Sequence, residues 1–174
     1  LVTNLLRDCR SVVFTGSGSS EFAGACLHLG VRAQLRIPAE TVPAGLILTH
    51  PKSALPALRP ALLVSIARSG DSPESCAAVD LCLRDEPDVR HLVITANPNG
   101  RLAVEHAGDP RVSVILLDER TCDRGLAMTS SFTNLVLAGG FLGSFDSPSR
   151  YADITDRLAD VASHILSEHA DSLA

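Results

Sequence analysis

Ala61-Leu62-Leu63-Val64-Ser65-Ile66-Ala67-Arg68-Ser69-Gly70-Asp71-Ser72-Pro73-Glu74-Ser75 is the stretch on which the fold turns. Residues 61–66 form a nearly continuous apolar run flanked by polar residues. That is the pattern of a strand covered on both faces in a parallel sheet. The chain then becomes dense in Gly and hydroxyl residues, and Pro73 suits the first position of a helix with Ser72 as its N-cap. Strand, loop and helix follow one another within fifteen residues.

The same grammar extends outward in both directions. Segments 11–15, 33–37, 91–95 and 112–116 also read as buried strands. Helical spacing falls between them, with one apolar face made by Phe22, Ala23, Cys26 and Leu27 and another by Cys76, Val79 and Leu83. From about 151 to 169, Ile154, Leu158, Val161 and Ile165 recur at intervals of three and four, which predicts a last long helix. The Pro-rich stretch 38–60 is the least regular part, with room for a short helix around 44–48. Alternation of strands and helices predicts one three-layer α/β/α sandwich around a five-stranded parallel sheet with right-handed crossovers.

Composition narrows the function. The chain has 174 residues, 45% of them hydrophobic and 20% charged, enough to bury a core and unlike a disordered chain. Aromatic residues make up only 3%, so aliphatic side chains must fill the interior. Fifteen basic residues against twenty acidic ones leave a net charge of −5, without a Lys/Arg run. Nucleic acid is therefore not the expected partner of this domain. No apolar stretch is long enough to cross a bilayer, and no secretory signal opens the chain. Five cysteines, odd in number and without a C-x-x-C pair, predict reduced thiols in a cytoplasmic protein rather than disulfides or a zinc site. The chain begins on Leu1 within a helical apolar pattern, which suggests a piece of a longer protein.

Ligands of such sheets bind beyond the carboxyl ends of the strands, so the loops there are the ones to read. The first is Gly16-Ser17-Gly18-Ser19-Ser20-Glu21. It is either an anion-binding turn or a plain strand–turn–helix with Ser19 or Ser20 as N-cap. In the second, Arg68, Ser69, the Gly70 backbone and Ser72 surround a helix start and make a cradle for a phosphate dianion. The third, Met128-Thr129-Ser130-Ser131, precedes an apolar helix and reads on its own as another cap. A dinucleotide fingerprint fails at Glu21, where a third glycine is required. No G-x-S-x-G elbow and no G-x-x-x-x-G-K-[ST] loop is present.

Taken together, Gly16 to Ser20 and Ser65 to Ser72 resemble the sugar isomerase (SIS) domain, across about residues 1–143. That family binds phosphosugars on a five-stranded parallel sheet, and its second loop usually reads S-x-S-G-x-[ST]. Here Ala67 replaces the first serine, while Ser69, Gly70 and Ser72 match. Ala127-Met128-Thr129-Ser130-Ser131-Phe132-Thr133-Asn134 is similar to a stretch of the AgaS-type group. Its members are tagatose-6-phosphate ketose/aldose isomerases and galactosamine-6-phosphate deaminase/isomerases.

The resemblance implies a phosphorylated sugar or amino sugar held by Gly18, Ser19, Ser20, Arg68, Ser69, Gly70, Ser72, Thr129 and Ser130, with no metal or organic cofactor. It also implies a chain with two SIS domains, of which this is the first, a homo-oligomer, and acid–base groups supplied largely from elsewhere. Within this segment two residues are candidate bases. Glu21 beside the first loop reads either as a base or as a first-turn acid favourable to the helix dipole. His50 reads either as a site residue or as a solvated loop histidine. His28, His91, His106, His164 and His169 show no ligand spacing with Asp or Glu. Asp71 is expected to brace the second loop, because against a phosphate it would cost binding. The rival reading from another class is a phosphosugar-sensing SIS domain of a transcriptional regulator, without catalysis. An SIS fold used only for assembly would be expected to have lost Ser69, Gly70 and Ser72.

Overall fold

The computed structural model describes residues 1–173. In chain order the elements are α1 (Val2–Leu6), β1 (Ser11–Thr15), α2 (Ser19–Leu35), β2 (Ala39–Thr41), α3 (Ala44–Thr49), α4 (Pro51–Ala54), β3 (Ala61–Ala67) and α5 (Pro73–Asp85). There follow β4 (Val89–Thr95), α6 (Arg101–Val104), β5 (Val112–Leu116), α7 (Ser130–Gly140), α8 (Pro148–Glu168) and α9 (Ala170–Leu173), with short 3-10 turns at Glu119–Thr121 and Phe141–Ser144. The five strands form one sheet in the order β2-β1-β3-β4-β5, and every neighbouring pair is parallel.

Alternate residues of the interior strands β1, β3 and β4 fill cores on the two faces of the sheet, which is why these strands are largely apolar. On one face Val12, Phe14, Leu62, Val64, Ile66, Leu92 and Ile94 pack against Leu27 and Val31 of α2, Leu135 of α7 and Leu142. On the other, Val13 and Leu63 meet Ile47, Ala78 and Cys82 of α3 and α5, while Val93 meets Cys76, Val79 and Leu102. This is the expected three-layer arrangement.

One strand lies elsewhere than the sequence pattern suggests. Residues 33–37 are not a strand: α2 continues to Leu35, and Arg36 closes it in a left-handed conformation with φ 57°. Ala23, Leu27 and Val31 are buried at a spacing of four, and Leu35 extends that stripe onto the same core. The helical period therefore outweighs the apolar character of the segment. The edge strand is Ala39–Thr41, three residues paired with Val12, Val13 and Phe14.

In the Pro-rich stretch, two short helices, α3 and α4, follow β2. The last long helix starts three residues earlier than expected, at Pro148. It is tethered at its start, where the Tyr151 hydroxyl donates to the Leu137 carbonyl at 2.6 Å and its ring meets Phe141 edge to face. None of its residues is buried, and Ile154, Leu158, Val161 and Ile165 form an exposed apolar stripe. Among the described residues no helix is long and apolar enough to cross a membrane.

Chain order and strand order diverge at one place. From β1 the chain moves outward to β2, then returns to β3 and proceeds the other way. The carboxyl ends of β1 and β3 therefore flank a switch point, from which the two connections leave in opposite directions and open a crevice.

Candidate functional site

That crevice holds a cavity of about 190 Å³. The loop after β1 contributes Ser17, Ser19 and Ser20, and the end of β3 with its loop contributes Ile66, Ala67, Arg68, Ser69 and Ser72. Ser75 of α5 adds a sixth serine, and Leu126 and Met128 form an apolar wall. Arg68 is the one charged residue in this lining.

Two helix starts meet here. Gly18, not a serine, is the N-cap of α2, so Ser19 and Ser20 are already helical and their side chains are released from capping. At α5, Ser72 is the N-cap and Pro73 the first helical residue, as expected, but the Ser72 side chain makes no capping hydrogen bond. In such a start the next backbone amides, of Glu74 and Ser75, have no intrahelical acceptor. Unpaired amides, serine hydroxyls and the positive ends of two helix dipoles make this place favourable to an anion.

The second loop is braced from behind, away from the cavity. Asn97 Nδ2 donates to the Ser69 carbonyl at 2.8 Å, and the Leu102 amide donates to the Gly70 carbonyl at 3.0 Å. Gly70 takes φ +72°, a region that favours glycine. Gly100 lies so close that a Cβ there would sit 2.2 Å from the Ser69 carbonyl oxygen. Asp71 Oδ1 accepts from the Arg101 amide at 2.9 Å, at the start of α6, so this carboxylate is a brace. The Asp71 amide donates to Ser69 Oγ at 3.3 Å, leaving the Ser69 hydroxyl proton available to an acceptor.

The three loops are stitched to one another. Ser17 Oγ and Ser75 Oγ are 2.9 Å apart. Ser20 Oγ approaches Met128 Sδ at 4.0 Å. Arg68 Nη1 donates to the carbonyls of Gly125 and Leu126 at 3.0 and 3.2 Å.

At α7 the structure supplies a group that the sequence pattern hid. Asp123 accepts from the amides of Thr129, Ser130 and Ser131 at 3.1, 2.8 and 3.3 Å, from the Thr129 hydroxyl at 2.7 Å and from the Ser131 hydroxyl. These donors, the two hydroxyls first, hold its carboxyl far below the usual carboxylate range. The anion position at this helix start is thus occupied from within the chain. Thr129 and Ser130 bond to Asp123 and do not line the cavity. Only its distance in sequence, six residues before Thr129, concealed the cap.

Neither candidate base lines the cavity. Glu21 sits in the first turn of α2, where its charge suits the helix dipole. His50 is exposed at the junction of α3 and α4, with Nδ1 2.9 Å from Thr49 Oγ1. Outside the crevice, Asp80, Glu105 and His106 converge within 4.8 Å, a proximity that their spacing along the chain conceals. Glu105 is paired there with the Arg101 guanidinium at 2.7 Å and His106 Nε2 is hydrogen-bonded with Asp80 at 2.7 Å, so these groups already have partners within the chain. A larger cavity of about 370 Å³, lined by Gln34, Gly143, Arg150 and Tyr151 among others, lies near the far end of α2 from the switch point.

Residues 5–143 match the SIS domain family, most of the chain and all five strands. This chain belongs to that family. The SIS domain is 36% identical over 160 residues to the D-galactosamine-6-phosphate deaminase AgaS of Shewanella sp. (strain ANA-3), covering 90% of this chain and 40% of the relative. It is 33% identical over 148 residues to the protein of the same name from Escherichia coli O157:H7, covering 84% and 38%. Among solved structures, the tagatose-6-phosphate ketose/aldose isomerase from Escherichia coli superposes with a TM-score of 0.82 at 29% identity, over 94% of this chain and 47% of that one. The SIS domain therefore spans about two fifths of the length of the curated relatives it matches.

Proposed function

We propose that this SIS domain holds the phosphate of a phosphorylated sugar or amino sugar. In this reading it is the substrate-binding part of an aldose–ketose isomerase or amino-sugar-phosphate deaminase of the galactosamine 6-phosphate to tagatose 6-phosphate type. One observation carries the reading: Arg68, which has no carboxylate partner among the described residues, faces a cavity whose other polar side chains are six serines at two helix starts. A dianion there gains a charge-assisted fork from Arg68, hydroxyl donors from Ser19, Ser20, Ser69 and Ser72, and backbone donors around Gly18 and Gly70. Thr129 and Ser130 contribute indirectly, since their bonds to Asp123 set the position of Met128 at the cavity wall.

The phosphate is remote from the reacting carbons, and its binding energy orients them. Isomerisation shifts a proton between neighbouring carbons and needs a base within about 3 Å of it, together with a donor for the enediolate oxygen. Deamination adds water and releases ammonia from the 2-amino sugar. Because Glu21 and His50 both lie off the cavity, the reading assigns acid–base chemistry to a second SIS domain or a neighbouring copy. The exposed stripe of Ile154, Leu158, Val161 and Ile165 on α8 supports such a covering partner. Five free cysteines fit a cytoplasmic setting.

The same absence of a base from the lining favours one second reading, a phosphosugar sensor without turnover. Thermal stabilisation by galactosamine 6-phosphate, tagatose 6-phosphate and their phosphate-free sugars separates the cases, followed by assays of ammonia release and ketose formation. Phosphate-dependent stabilisation with turnover supports the enzyme, and stabilisation without turnover supports the sensor. No response to any phosphosugar removes both.

A further inference from the structure

Residues 117–129 connect β5 to α7; Leu126 and Met128 among them reach the crevice, and the crest between Asp123 and Met128 is held in an unusual way. Midway along, Asp123 folds back onto Thr129, Ser130 and Ser131, which closes a short loop over 124–128 and anchors its base to α7. The crest, Gly125 and Leu126, is exposed, and Leu126 retains 93% of its accessible surface. Apolar burial therefore contributes little to its position. What ties it down is the Arg68 guanidinium, through the two Nη1 hydrogens given to the Gly125 and Leu126 carbonyls. The remaining donors, Nε–H and the two on Nη2, have no partner among the described residues, and Arg68 also lines the phosphate cavity. A guanidinium presents donors on more than one edge of a rigid plane, so it can serve two acceptor groups at once.

We infer that residues 124–127 are a strap which a bound phosphate fastens through Arg68. The phosphate takes the unused Nε and Nη2 edge and fixes the guanidinium plane, and the fixed plane holds the Gly125 and Leu126 carbonyls. The strap then shields the sugar with Leu126, beside the adjoining Met128. Without the phosphate, the crest between the Asp123 cap and Met128 is held by a flexible arginine side chain. This inference rests on the phosphate reading of the cavity and adds regulation of its access.

The chain contains no tryptophan, so Leu126→Trp places a single indole on the crest. Acrylamide quenching and emission of that indole are followed with galactosamine 6-phosphate and with inorganic phosphate, while thermal stabilisation reports binding independently. The expected result is a blue shift and a loss of quenching at saturating ligand. In Leu126→Trp combined with Arg68→Ala, quenching is higher before ligand and stays high at ligand concentrations that saturate the thermal shift. Thermal stabilisation with unchanged quenching overturns the strap and leaves the phosphate reading standing. Equal protection in the Arg68→Ala background overturns the part assigned to Arg68. If that background cannot be saturated, the unliganded pair decides, and equal quenching overturns the inference. No thermal stabilisation by any phosphate compound overturns both readings.

Discussion

Ser17 Oγ, on the loop after β1, and Ser75 Oγ, in the first turn of α5, stand 2.9 Å apart in the lining of the crevice cavity. They lie 58 positions apart in the chain and close the two halves of the cradle against each other. Ser75 is 2% exposed, so its hydroxyl is not readily rehydrated when the partner is removed. Ser75→Ala is expected to cost about 1 kcal/mol of stability. Ser17→Ala, which strands the buried Ser75 hydroxyl, is expected to cost a similar amount or more, and the double variant no more than the worse single one, because both remove the same bond. Urea denaturation of the four proteins measures the coupling. Additive losses would show that the two hydroxyls do not depend on each other.

Arg68 is the positive charge of the cavity. Arg68→Ala is expected to weaken a sugar phosphate by roughly 10- to 100-fold, the worth of a charge-assisted hydrogen-bonding group. Binding of the phosphate-free sugar should hardly change. Arg68→Lys keeps the charge but loses the planar fork, so it should fall between the two. Isothermal titration with the phosphorylated and free sugar checks this. An equal loss for both ligands would move Arg68 from the phosphate to the sugar.

Gly100 has a specific spatial duty, to let the Ser69 carbonyl approach. A methyl at that position would stand 2.2 Å from the oxygen, and the opposing atoms are backbone, which cannot rotate away. Gly100→Ala is therefore expected to displace the second loop, cost about 2 kcal/mol and abolish phosphosugar binding. Gly108, where an added Cβ meets nothing within 4 Å, is the control position. Denaturation and ligand-induced thermal shifts compare the two.

How far this arrangement can be read from sequence depends on the range of each signal. β1, β3 and β4 are legible because burial on both faces makes them largely apolar runs; β5 shares the apolar pattern, but it is an edge strand and none of its residues is buried, with Leu116 exposed. β2 is not legible, because Ala39-Glu40-Thr41 is a three-residue edge with alternating exposure, and the helical stripe ending at Leu35 masks where the helix stops. The Gly/Ser loops are legible because strand, loop and helix start are contiguous. Asp123 is not, since a carboxylate capping amides six to eight residues later requires the chain to reverse, and no local pattern encodes that. Asp80 and His106 meet only because α5 and α6 pack side by side, 26 residues apart.

His91 gives the fold a pH dependence of its own, apart from the cradle. It lies on β4 with 0% exposure, and neither ring nitrogen has a hydrogen-bond partner among the described residues. Burial first, and then the nearby Arg111 charge, push its pKa down from 6.5 to about 4. Between these values the unfolded chain takes up a proton that the folded protein refuses. The stability this residue permits is therefore full above pH 6.5 and is lost as the pH falls toward 4. From pH 7 to pH 5 the expected loss is about 2 kcal/mol. His91→Leu removes both the proton site and two unsatisfied buried nitrogens, so it should be no less stable at pH 7 and should lack this slope. Urea titrations of both proteins across pH 5 to 7 decide the matter. Parallel curves would show that the acid sensitivity arises elsewhere, whereas curves that diverge on acidification would assign it to His91.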